Sequence, residues 1–180
     1  MSNIFLRREI YREDLEKLSA WLENPEVNEY LNEDENITDQ LNSLIKQHSL
    51  PIFTPLLNRS GVFFMIEHPA EGTVGYLRLA AKNDSTSEMV IAIGDIECWG
   101  KGFGSAAIRQ GLQKAFFDLR HEKVEAKIHP ENERSLYVFT KEGFSHKQES
   151  TSRGKAQENE FTQNEVILEL EQEEFIAQFL

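Results

Sequence analysis

The run Trp99-Gly100-Lys101-Gly102-Phe103-Gly104-Ser105 carries the strongest chemical signal in this chain. Glycines at alternate positions let a backbone approach a ligand closely and turn several N–H groups the same way. An amphipathic helix begins directly behind them, and a helix N-terminus contributes roughly half a positive charge. Together they form a cradle suited to phosphate or pyrophosphate. Two familiar phosphate loops are excluded by single residues. A Walker loop needs Gly-Lys followed by Ser or Thr, whereas Lys101 is followed by Gly102, and the fingerprint G-x-G-x-x-G would need glycine where Ser105 stands. For the motif taken alone, the alternative is a glycine-rich turn with no ligand. Cys98 precedes the cradle, but no histidine lies near it in sequence, so a nucleophilic thiolate has no support.

A cradle of this kind needs a strand before it and a helix after it, and both are legible. Met89 to Ile93 is apolar at every position, which predicts a strand covered on both faces. After Gly104, the residues Ile108, Leu112, Ala115, Phe116 and Leu119 fall on one helical face. Val124, Ala126 and Ile128 alternate with Glu125 and Lys127 as a strand does, and Pro130 ends it. Glu133 to Lys141 reads as a short helix closed by Gly143. Upstream, Ile4 to Arg7 reads as a strand, and Leu15, Leu18, Trp21 and Leu22 form a helical stripe stopped by Asn24-Pro25. A second helix is expected from Thr38, an N-cap candidate, through Ile45, after which Pro51 and Pro55 break the chain. Val62 to Glu67 and Thr73 to Leu79 read as hairpin strands, with the next turn at Asn83 to Ser87. Phe144 to Ser150 and Phe161 to Leu170 read as two strands around a polar loop. The order β-α-α-β-β-β-α-β-α-β-β predicts an α+β fold in one domain spanning 1–180.

Composition agrees with that expectation. A chain of 180 residues, 39% hydrophobic and 28% charged, can bury its own core without staples. Disordered and low-complexity classes are excluded. The longest apolar runs, such as Val62 to Ile66, fall far short of a membrane span, and Met1 to Arg12 has no apolar signal core. One cysteine can form neither an internal disulfide nor a metal cluster, so no metal and a cytoplasmic location are expected. The net charge of −12, with no Lys/Arg stripe, disfavours nucleic acid as a partner. Acid is concentrated where Lys and Arg are missing between Leu18 and Ile45, and again after Lys155. Either run could attract a cationic ligand or serve as a solvated face.

Trp99-Gly100-Lys101-Gly102-Phe103-Gly104 resembles the [Q/R]-x-x-G-x-[G/A] acetyl-CoA loop of the GCN5-related N-acetyltransferase (GNAT) family, with Trp99 at the Gln/Arg position. Asn132-Glu133-Arg134-Ser135 followed by Glu142-Gly143-Phe144 resembles that family's second signature. Leu6-Arg7 with Trp21-Leu22-Glu23-Asn24-Pro25-Glu26-Val27 resembles the first segment of the branch that holds ribosomal-protein alanine and spermidine acetyltransferases. The resemblance implies a mostly antiparallel mixed sheet of about seven strands flanked by about four helices, splayed open at the site. It also implies that Ala92, Ile93 and Gly94 offer backbone to the pantetheine arm of acetyl-CoA and that Trp99 to Ser105 hold the pyrophosphate. Asn132 would bond the pantetheine, with Ser135 beside it. The implied reaction is direct attack of a primary amine on the acetyl thioester. The acceptor would be a polyamine or other small cationic amine, a peptide α-amine or an amino sugar, and a homodimer is expected from related enzymes.

The family's usual tyrosine acid, seven residues after the signature asparagine, is replaced here by Phe139, which has no proton to give. Tyr137 lies about 200° around the helix from it. A thiol with a pKa of about 8.5 is a fair leaving group without help. Water or another side chain could serve, the enzyme could be slow, or the domain could be a non-catalytic acetyl-CoA-binding module. For the general base, Asp95 is the first candidate and Glu97 the second; either could instead be an idle loop carboxylate. His129, at the end of a core strand, could be a catalytic part or simply a hydrogen-bonded strand end.

Overall fold

The computed structural model describes residues 3–31, 36–147 and 165–179. Its strands are β1 (Phe5–Arg7), β2 (Val62–His68), β3 (Gly72–Asn83), β4 (Thr86–Ile93), β5 (Lys123–Ile128), β6 (Ser145–His146) and β7 (Val166–Glu171). They form one seven-stranded sheet in the order β1-β2-β3-β4-β5-β7-β6. Every neighbouring pair is antiparallel except β4 and β5. The helices are α1 (Arg12–Glu23), α2 (Pro25–Asn28), α3 (Ile37–Gln47), α4 (Thr54–Leu57), α5 (Phe103–Gln113), α6 (Glu133–Lys141) and α7 (Gln172–Phe179). None of them is long and apolar enough to cross a membrane.

Alternation along the strands divides the apolar residues between two cores. Phe63, Met65, Tyr76 and Ala92 pack with Leu15, Leu18 and Leu22 of α1 and Leu41 of α3. Their sequence neighbours Phe64, Ile66 and Leu77 belong to the other core, with Ala107, Ile108 and Leu112 of α5 and Phe175 of α7. The first layer is tied down electrostatically: the Arg7 guanidinium reaches both oxygens of Asp14 at 2.9 Å, while Asp14 also accepts the Tyr11 N–H at 2.8 Å at the start of α1.

Several local expectations change. Pro55 does not break the chain but sits in the first turn of the four-residue α4, where a missing N–H costs nothing. The turn expected over Asn83 to Ser87 shrinks to two residues. Asn83 pairs with Thr86 in the ladder and its side chain accepts the Ser85 N–H at 2.9 Å, which lets β4 begin three residues before Met89. The α3 helix is N-capped at Asn36, ahead of Thr38. The long helix after the glycine loop is α5 continued by a π-type turn from Lys114 to Asp118. α7 is an addition to the expected elements, and together with the single-turn α2 and α4 it brings the helices among the described residues to seven instead of about four. Its signal was the i,i+4 pair Phe175 and Phe179; Phe175 is fully buried against Phe116. The parts of the last two predicted strands at 148–150 and 161–164 lie outside the described residues.

Candidate active site

The ladder between β4 and β5 is short: Thr86, Ser87 and Glu88 pair with Lys123, Val124 and Glu125, and pairing stops there. Both strands continue, β4 to Ile93 and β5 to Ile128. The gap beyond Glu88 is part of a cavity of about 360 Å³. β4 is packed on both faces as expected, but the gap leaves Val90, Ile91 and Ile93 only partly buried. Val90 and Ala92 pack in the α1–α3 layer, Ile91 and Ile93 in the α5–α6 layer, and all four line the cavity. The opening therefore passes through the sheet. Glu26, Val27 and Tyr30 line it on one side, the start of α5 and the cavity face of α6 on the other.

On the α5 side the glycine loop is bare backbone. Gly100 and Gly102 have φ of +75° and +81°, which an L side chain rarely adopts. Gly102 is the N-cap of α5 and supplies no side-chain cap; the first helical bond is the Ala106 N–H to the Gly102 carbonyl, at 3.1 Å. The N–H groups of Phe103, Gly104 and Ser105 thus end the helix without a capping side chain, on residues that line the cavity. Packing does not demand the missing side chains. A Cβ at Gly100 would meet nothing within 4 Å, and one at Gly104 would only touch Ile93 and Val138 at 4.0 Å. Open space before free amides at a helix start fits a phosphate group. Trp99 fixes the loop, its indole N–H donating to the Ile93 carbonyl at 2.7 Å.

Of the residues singled out from sequence, Ala92, Ile93, Trp99, Gly100, Gly102 and Phe103 share the cavity wall. Gly104, Ser105, Asn132, Ser135 and Phe139 complete the set that shares it. Gly94, Asp95 and Lys101 are not in that wall. The Gly94 and Asp95 N–H groups both donate to the Val74 carbonyl, at 2.9 and 3.2 Å, and a Cβ at Gly94 would lie 2.0 Å from the Trp21 ring. The Asp95 carboxylate caps a 3-10 turn by accepting the Glu97 N–H at 3.1 Å. Lys101 pairs with Glu71 at 2.8 Å. Asn132 caps α6, accepting the Ser135 N–H at 3.1 Å, which orients the start of that helix toward the cavity. Phe139 is buried edge-on to Phe144, ring centres 5.0 Å apart. The Cys98 thiol is buried, and burial, reinforced by Asp95, pushes its pKa up, against thiolate chemistry.

The structure adds residues the sequence did not single out. Tyr30 lines the α2 side of the cavity, stacked on His129 with ring centres 5.2 Å apart. Desolvation and then the nearby Glu29 and Glu131 carboxylates hold its hydroxyl pKa above the usual phenol value. The imidazole Nδ1 of His129 accepts the Glu131 N–H at 3.2 Å. Glu88, the last residue of β4 to pair with β5, bonds Lys127 across to β5 at 3.1 Å, and both line the cavity. Arg134 lies over the Trp99 ring, 3.5 Å from its centre. The acidic run around Glu26 and the strand-end His129 were the sequence signals for this rim.

The sequence matches the family described as Acetyltransferase (GNAT) domain over residues 4–145. It is 28% identical over 146 residues to an uncharacterized N-acetyltransferase, p20, of Bacillus licheniformis, covering 76% of this chain and 79% of that protein. The spermidine N-acetyltransferase of Vibrio cholerae, in complex with CoA and spermine, superposes with a TM-score of 0.74 at 21% identity, over 98% of this chain and 99% of that one. A dodecameric structure of spermidine N-acetyltransferase from Vibrio cholerae superposes at 0.71 with 20% identity over the whole of both chains. With the family matched across most of the chain and the splayed sheet in place, this protein is a member of the GNAT family of N-acetyltransferases.

Proposed function

We propose that the cavity through the splayed sheet brings acetyl-CoA and a cationic primary amine together from opposite faces. The observation that carries this reading is the division of the wall: uncapped helix amides on the α5 side, the Glu26 carboxylate and the Tyr30 phenol on the α2 side. Bare N–H groups at Phe103, Gly104 and Ser105 suit the pyrophosphate, and the unpaired β4 edge beyond Glu88 leaves backbone groups for the pantetheine amides. Asn132 and Ser135 stand at the start of α6 beside them.

The bound donor supplies an acetyl carbon held as a thioester. The chain's own task is to align the amine with that carbon, exclude water and accept a proton. Glu26 and Tyr30 on the cavity rim, with Glu29 and Glu131 beside Tyr30, attract an ammonium and favour a polyamine or similar cation over an acidic amine. Asp95 stays a candidate base only through water, since its carboxylate is engaged in the turn. Nothing at Phe139 donates a proton, so the thiolate leaves unassisted by that residue. The known polyamine complex of the Vibrio cholerae structure supports the same acceptor class, and its dodecamer supports self-association of this chain.

The test is release of free thiol from acetyl-CoA against polyamines, amino acids, amino sugars and N-terminal peptides. Turnover is expected with the cationic amines. A panel in which only neutral or acidic amines react would overturn the acceptor assignment. The second reading, a binding module without catalysis, rests on Phe139, and tight acetyl-CoA binding with silence across the panel would establish it.

A further inference from the structure

Two cations sit near the phosphate cradle, and the structure gives them opposite roles. Lys101, the cation inside the glycine loop, is already spent on Glu71 at 2.8 Å and is not in the cavity wall. Its ammonium pKa is raised, Glu71 being the largest cause. Arg134, on the second residue of α6, does line the cavity. No ion pair joins it to a carboxylate among the described residues; its guanidinium lies on the Trp99 ring, 3.5 Å from the centre. The only perturbation of its pKa is desolvation, which lowers it; no neighbouring acid raises it. The indole beneath is itself locked to the Ile93 carbonyl at 2.7 Å. A guanidinium parked on an aromatic face has one plane satisfied and keeps its N–H edge available for an anion.

We propose that Arg134, held on Trp99, is the side-chain cation that clamps the pyrophosphate of the acyl donor and so fixes donor specificity at this site. The assignment rests on the acetyl-CoA reading given above. Trp99 opens the glycine loop and Arg134 is the second residue of α6, so the stack ties α6 to the loop ahead of α5, and Arg134 shares one cavity wall with Phe103, Gly104 and Ser105. Arginine is suited to this duty because its planar fork can pair with two phosphate oxygens at once. Lys101, by contrast, stands outside that wall with its ammonium on Glu71.

The test compares wild-type protein with Arg134→Met, which keeps an apolar stem over the indole and removes the charge, and with Arg134→Lys. Binding is measured by calorimetry for acetyl-CoA, for acetyl-dephospho-CoA, which lacks the 3′-phosphate, and for S-acetylpantetheine, which has no phosphate. Arg134→Met is expected to bind acetyl-CoA and acetyl-dephospho-CoA about 10- to 100-fold more weakly, with the deficit shrinking as salt rises, and to bind S-acetylpantetheine as the wild type does. Arg134→Lys is expected to recover part of the loss. Equal weakening for S-acetylpantetheine would show a structural role only and overturn the proposal, as would unchanged acetyl-CoA affinity. A deficit confined to acetyl-CoA would assign Arg134 to the 3′-phosphate and overturn the pyrophosphate clamp. Failure of the wild type to bind acetyl-CoA at all would instead refute the underlying functional reading.

Discussion

Replacing Gly104 by valine separates the ligand-binding role of the glycine loop from any structural one. Gly104 lies in the first turn of α5 with an ordinary φ, and a Cβ there would make only two contacts, to Ile93 Cγ1 and Val138 Cγ1 at 4.0 Å. The folded protein without ligand therefore has room for a Cβ at this position. Glycine is about 0.8–1.0 kcal/mol worse than alanine in a helix and valine up to roughly 0.7 worse, so the exchange is slightly stabilising, by about 0.3 kcal/mol. For a chain of this size that leaves Tm within about 2 °C of wild type. The branched methyls, however, occupy the space before the uncapped amides. A hydrogen bond from an amide to a charged phosphate contributes about 1.5–3 kcal/mol, so losing one bond weakens acetyl-CoA binding about 10- to 150-fold. Thermal unfolding without ligand and calorimetric titration with acetyl-CoA read the two quantities separately. An acetyl-CoA Kd within twofold of wild type would refute the cradle. A large loss of Tm in the ligand-free protein would show that the glycine serves packing.

Phe139→Tyr places a phenol in the cavity wall and is expected to raise kcat for acetyl transfer by about 10-fold or more, since general acid catalysis typically contributes about 10²–10⁴. An unchanged kcat would mean that the leaving thiolate obtains its proton by another route. Glu26→Gln removes an exposed carboxylate from the α2 side and is expected to raise KM for a polyamine roughly 3- to 5-fold with kcat retained, an effect that fades in high salt. A loss confined to kcat would contradict a purely electrostatic role. Glu125 is buried in β5; burial acts to raise its pKa, but the ammonium groups of Lys147 and Lys82 outweigh that and hold its carboxyl below the usual range. Its contribution to stability is therefore present above the unfolded carboxyl pKa of about 4.3 and is lost as pH falls through the lower folded value. Glu125→Gln is expected to lower Tm at pH 7, with the gap to wild type closing toward acid pH; a gap that persists below pH 3 would count against the pairing.

Sequence patterns alone located most of what holds the site. Helix period after Gly104, the alternation of Val124, Ala126 and Ile128, and the bounds of α6 are local properties. Period follows from which side of an element must be dry, and Gly143 adopts the φ of +97° that closing α6 requires. The glycine loop was legible for the same reason, because an anion cradle is built from backbone freedom and a helix start that adjoin in sequence. Other features depend on partners far along the chain. The tail helix α7 has only Phe175 and Phe179 to declare it, and it is stabilised by Phe116 from another element. Gly94 looked like ligand-facing backbone, yet its bareness answers to the Trp21 ring, more than 70 residues earlier in the chain. Asp95 reads as a base from its position, and only the structure shows its carboxylate accepting the Glu97 N–H at the start of a 3-10 turn. Composition and spacing thus determined the α+β class, the glycine loop before a helix start and the acidic run that includes Glu26. Only the tertiary structure decided that β4 and β5 part after Glu88, that Lys101 is neutralised by Glu71, and that Arg134 reaches Trp99. Each of these depends on distances between residues that the chain brings together only after it has folded.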